Sequence, residues 1–226
     1  MGIIPVSLFS AFLSLDTAAV FQGLISQPVI ACTLIGWMSN DLWFGLQIGL
    51  IMQLIWISSL PIGAVIFPDG NLGSMIAVIV ATRIDIENQG FEHLIIFLAV
   101  FYGFFMSFIG AHLMKWIRQF NVHLFEYARR QIARDRLSSV GFSVIISLSI
   151  NYIALFVFIL STAVLGRWLF EEIINQVSAH WNEYARYTEI AVLGAGFGLT
   201  LTLFNQNRMK YIIAAGISIS LLFLLI

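Results

Sequence analysis

Residues Gln27 to Ile76 read QPVIACTLIGWMSNDLWFGLQIGLIMQLIWISSLPIGAVIFPDGNLGSMI, an apolar stretch that repeatedly interrupts itself with Gly and Pro. No charged residue occurs between Leu42 and Pro68, yet Pro61-Ile62-Gly63 and Pro68-Asp69-Gly70 stand in the way of one continuous helix. Inside a bilayer, freed backbone groups are tolerated only where protein buries them or where they line a wet cavity. A broken apolar segment therefore marks a candidate site, and Asp69 lies at the break. The same residues, Asp69-Gly70-Asn71, also fit an ordinary turn at the membrane surface.

Outward from this stretch the composition decides the class. Sixty per cent of the 226 residues are hydrophobic and ten per cent are charged, against roughly 25% charged in soluble domains. Uncharged or nearly uncharged runs at Thr17–Asn40, Leu42–Pro68, His93–Met114, Leu137–Gly166 and Ile190–Asn207 reach or approach the roughly 20 residues that cross a bilayer as helix. The expected fold is an all-α integral membrane protein, a multi-span bundle with broken helices or re-entrant hairpins. One membrane domain covers residues 1–226, with a core segment at 27–81. The net charge of −1 gives no reason to expect a nucleic-acid partner. The single Cys32 cannot form an internal disulfide. No signal peptide is read at the N-terminus, which lacks Lys or Arg before its apolar run.

Local signals place the elements. Pro5 suits the first turn of a helix. Asp16 sits in an apolar segment, where an acid faces protein or water, or marks an interface near a helix end. Asn40-Asp41 can cap a helix beginning at Leu42, and Gly45 and Gly49, one turn apart, allow a neighbouring helix to approach. Gln53 continues that face. Gly63–Ala81 is expected as a re-entrant hairpin or a span with an unwound start, and Arg83–Glu92 as an acidic loop. Lys115–Arg136 carries six basic residues against Glu126 and Asp135, a short-loop excess that places it in the cytoplasm. Trp116, Phe120, Leu124 and Ala128 recur every four residues within it, predicting an amphipathic helix over 115–136 on the inner membrane surface, as an anchor or a docking face. Asn151 is read as a packing residue of the next span, Arg167–Arg186 as an interfacial helix, and Tyr211–Ile226 as a short last segment.

No nucleotide-binding motif and no Cys/His spacing for zinc is present, so neither a metal nor a cofactor is expected. His93, His112, His123 and His180 are scattered. What remains is a polar set within apolar sequence: Gln22, Gln27, Gln53, Asp69 and Asn71. Amides and carboxylates satisfy the hydroxyls of a neutral sugar, and the same set suits a cation or a proton relay.

The order Gln27-Pro28, Gly36, Asn40-Asp41, Gly45, Gly49, Gln53-Leu54, Pro61-Ile62-Gly63-Ala64 and Pro68-Asp69 resembles the membrane-channel subunit, IIC, of the mannose family of sugar phosphotransferase systems. The resemblance is carried by Leu15 to Ala81. It implies a non-enzymatic, multi-pass subunit of the bacterial inner membrane that binds and translocates a hexose. It also implies a IID-type membrane partner, soluble IIA and IIB phosphocarriers, and an oligomeric complex, with phosphoryl transfer carried out by IIB. Gln27, Gln53 and Asp69 are the motif positions. Gln53 stands where family members commonly carry Glu. The readings set against this one are an ion-coupled carrier and a membrane scaffold without transport.

Overall fold

Asp41 and Asp69 each start a helix, and between them they set the geometry of the centre. In the computed structural model, which describes residues 2–17, 19–20, 22–57, 68–84, 90–134 and 138–203, every element among the described residues is helical. In chain order these are α1 Ile3–Leu15, α2 Pro28–Met38, α3 Leu42–Trp56, α4 Gly70–Ala81, α5 Glu92–Ile132, α6 Ser138–Gln176 and α7 His180–Leu203. The all-helical membrane class expected from composition is the class observed.

The first four helices are short because their sequences stop them. Pro28 opens α2 at the first turn, where its missing N–H costs nothing. Asn40, at a φ of 64°, turns the chain between α2 and α3. The Asp41 carboxylate then accepts from Phe44 N at 3.0 Å and caps α3, as its position predicted. At 15 and 12 residues, α3 and α4 are about 22 and 18 Å long, less than the roughly 30 Å of a hydrocarbon core. Among the described residues, only α5 and α6 are both long and apolar enough to cross.

α2 and α3 form a tight antiparallel pair. A Cβ built on Gly36 would fall 2.8 Å from the Gly45 Cα, and one on Gly49 2.8 Å from the Pro28 carbonyl. Hydrogen at these positions lets two backbones touch, the role expected of Gly45 and Gly49. α4 packs among α1, α2, α3, α5 and α6. Its side chains from Leu72 to Ala81 are all buried, which matches a helix that is hydrophobic all round. Gly73 meets the Gly103 carbonyl and Ser107 of α5 directly. Tyr102 ties α5 to α6 by donating to the Thr162 carbonyl at 2.7 Å.

Two helix boundaries differ from those expected. The span ending at Met114 and the basic segment from Lys115 form a single helix, α5, of 41 residues. No Pro or Gly follows Met114 before Ile132 to stop it, and a change from apolar to amphipathic composition does not break backbone hydrogen bonds. Similarly, α6 runs through Gly166 and Arg167 to Gln176, and the proposed interfacial helix is split at Val177–Ala179 before α7. Gly194, Gly196 and Gly198 remain helical within α7. Asn151 donates to Ser147 O of its own helix at 2.9 Å, while Asn121 of α5 accepts from Ser147 Oγ at 2.9 Å. The Pro61–Ala64 break, most of the acidic loop at 85–89, Asp135–Leu137 and residues 204–226 lie outside the described residues.

Candidate functional site

The ends of the short helices converge on one polar cluster. Asp16 terminates α1 as its C-cap and is 6% exposed. An acid there faces the negative end of the helix dipole, and backbone N–H groups compensate it. Gly23 N donates to its Oδ1 at 2.7 Å and Ser26 N to its Oδ2 at 3.1 Å. Asp16 is thus both buried and at a helix end, and it holds the chain that leads into α2.

That chain delivers Ser26 and Gln27. Ser26 is buried, and its Oγ accepts from Asn71 Nδ2 at 3.4 Å. Gln27 is the N-cap residue of α2, but its side chain makes no capping bond. Its Oε1 instead accepts from Gln53 Nε2 of α3 at 3.2 Å. Asn71 lies in the first turn of α4 beside Asp69, whose carboxylate caps that helix by accepting from Leu72 N at 3.0 Å. Asp69 N donates in turn to Ser107 O of α5 at 2.9 Å. The α2 and α4 N-termini and the last turns of α3 therefore meet, and helix N-termini present N–H groups suited to electron-rich ligand atoms.

Of the residues singled out in the sequence, Gln27 and Gln53 are bonded to each other, and Asn71 joins the same region through Ser26. Asp69 stands two residues before Asn71. Gln22 is not joined to them: it is exposed on the connection after α1, at a φ of 51°, and its side chain makes no hydrogen bond among the described residues. Asp69 is half-buried, and its observed role is that of a helix cap, the local turn chemistry that Pro-Asp-Gly-Asn carries.

The structure adds two residues. Ser26 carried no motif, and only its neighbour Gln27 pointed to it. Trp56, one turn beyond Gln53, stacks on Phe104 at 5.5 Å between ring centroids and meets Phe108 edge-on. A Cβ on Gly70 would lie 2.5 Å from the indole Cγ, so the ring is seated against the start of α4. Its Nε1 is buried with no hydrogen-bond acceptor among the described residues. A buried N–H without a partner costs about 1–3 kcal/mol. The indole thus sits against the start of α4, next to the residue that caps that helix.

Comparison with known proteins places this architecture. The chain matches the family described as "PTS system sorbose-specific iic component" over residues 1–225. A solved structure described as "Structure of membrane protein" is similar at a TM-score of 0.67 and 19% identity, covering 96% of this chain and 84% of that one. Another, the cryo-EM structure of the mannose transporter ManYZ in complex with microcin E492, is similar at a TM-score of 0.57 and 17% identity, again covering 96% and 84%. No curated protein matches by sequence. Both structural likenesses bear on the fold, while the family match spans nearly every residue. The chain belongs to the sorbose-specific IIC component family of the sugar phosphotransferase system, the mannose-type membrane components that its central motif resembled.

Proposed function

We infer that this protein is the sugar-conducting IIC subunit of a mannose-type phosphotransferase system, binding a hexose at the cluster of Gln27, Gln53, Asp69 and Asn71. The observation that carries the reading is the convergence of amides and a carboxylate from three separate short helices at their ends. A hexose is neutral and presents hydroxyls that both donate and accept. Amides match this dual character, and a carboxylate accepts from two hydroxyls at once. Trp56 supplies an N–H donor and an apolar ring beside them. Gln22, exposed on the connection after α1, is left out of this proposed site.

Short helices that end within the apolar region leave backbone groups for a ligand without exposing them to lipid. Transport by this route needs no covalent chemistry from the chain. A IID-type membrane subunit completes the pathway, and soluble IIA and IIB carriers relay phosphate so that product sugar phosphate cannot return. The basic portion of α5 then faces the cytoplasm of a bacterial inner membrane, where those carriers act.

The test is hexose uptake into vesicles holding this chain and its membrane partner, with phosphoenolpyruvate and the soluble carriers supplied or withheld. Sugar phosphate should accumulate only when the relay is complete. Accumulation of unmodified solute driven by a sodium or proton gradient alone would replace this reading with an ion-coupled carrier.

A further inference from the structure

Beyond the core, α5 and α6 enclose a cleft of about 420 Å³ between residues 114–128 of one and 140–151 of the other, with Ala19 at its margin. None of the sugar-site residues lines it. Its walls are of two kinds. Phe125, Val144 and Leu148 form an apolar slot, and Arg118, Asn121 and Ser147 form a polar end. The hydrogen bond from Ser147 Oγ to Asn121 Oδ1 fixes the amide, so that its Nδ2 hydrogens remain as donors. Arg118 makes no hydrogen bond or ion pair among the described residues.

The surroundings point to one class of occupant. This part of α5 also carries Lys115, Arg129 and Arg130, with Arg134 just past its end, against Glu126. Trp116 and Phe125 beside them are 70% and 67% exposed. Exposed aromatics next to cations are the composition of a segment at a membrane interface. Basic pockets between helices on the cytoplasmic side suit anionic headgroups. A guanidinium and an amide donor at the polar end match a phosphate, and the slot beside them matches an acyl chain.

We propose that this cleft binds one anionic phospholipid, its phosphate on Arg118 and Asn121 and an acyl chain along Phe125, Val144 and Leu148.

The test uses the full chain with its membrane partner, reconstituted in nanodiscs of phosphatidylcholine with or without phosphatidylglycerol and released for native mass spectrometry. One phosphatidylglycerol should stay bound per copy of this chain, with phosphatidylcholine lost. Arg118→Gln should weaken retention about tenfold, as removal of a charged hydrogen bond predicts, while Arg118→Lys retains the lipid in part. Val144→Trp, which fills the slot and leaves the cation, should displace it too. Equal retention of both lipids, or retention unchanged in Arg118→Gln and Val144→Trp, would overturn the proposal. So would displacement by inorganic phosphate alone, or a photo-crosslinker at Leu148 that captures the partner subunit in place of lipid. Sugar uptake into vesicles made of the same lipids separates the two readings: lipid retained without any phosphoenolpyruvate-dependent uptake leaves the cleft assignment standing and removes the sugar site.

Discussion

Gln53 Nε2 donates to Gln27 Oε1 at 3.2 Å, across 26 residues of sequence, and so joins the last turns of α3 to the first residue before α2. The pair uses one donor and one acceptor and leaves each amide with hydrogen-bonding capacity facing the same region. Gln53→Leu removes both functions while keeping the volume close. We expect KM for sugar to rise about tenfold, near the upper range of a lost neutral hydrogen bond. Gln53→Glu should preserve transport, because Gln27 can turn its amide to donate to the new carboxylate. Vesicle uptake kinetics check both.

Asp69 caps α4, and substitution can separate that observed role from the sugar-binding role proposed for it. Asn is as good an N-cap as Asp, so Asp69→Asn should leave thermal stability within a few tenths of a kcal/mol, whereas Asp69→Ala should lose about 1 kcal/mol with the cap. If the carboxylate receives sugar hydroxyls, both variants lose uptake. Uptake retained in Asp69→Asn and reduced in Asp69→Ala would assign Asp69 to capping alone. Thermal melts in detergent, run beside the uptake assay, give the comparison.

Gly73 permits α4 to lie directly on the α5 backbone at Gly103 and Ser107. An added methyl there has no free space and must push the two helices apart. Gly73→Ala should destabilise by about 1–3 kcal/mol, seen as a lower melting temperature and reduced yield of folded protein. Gly141, which has nothing within 4 Å of a built Cβ, is the control: Gly141→Ala should be neutral or slightly stabilising.

Trp56 offers the opposite case, a buried donor with no partner among the described residues. Trp56→Phe keeps an aromatic ring against Gly70 and removes the N–H. Stability should hold or rise slightly, because no hydrogen bond is lost and a desolvated donor disappears. Sugar affinity should fall several-fold, with the loss in KM. Unchanged KM would show that the indole only packs.

The division between what was legible and what was not follows the range of the forces involved. Asp41 and Asp69 cap helices through their own neighbours three residues on, so their roles could be read locally. Gly45 and Gly49 signalled a close approach by spacing alone, and the structure supplies the partner, α2. The continuity at Met114 is not legible locally, because a change in composition resembles a boundary although nothing there stops helix propagation.

Composition alone determined that this is a helical membrane protein, since lipid admits few other ways to pair backbone groups and the chain's apolar runs are the right length. The Gly, Pro and Asp residues of the central stretch likewise determined that its helices would be short. Which polar groups meet was decided only by tertiary packing. Asn71 reaches Ser26 across 45 residues and Gln53 reaches Gln27, while Gln22 stays outside, although all but Ser26 looked alike as polar residues in apolar sequence. Those meetings depend on how α2 and α3 pair and how α4 settles among its neighbouring helices. That arrangement is a sum of many close contacts spread over the whole bundle, and no short window of sequence contains it.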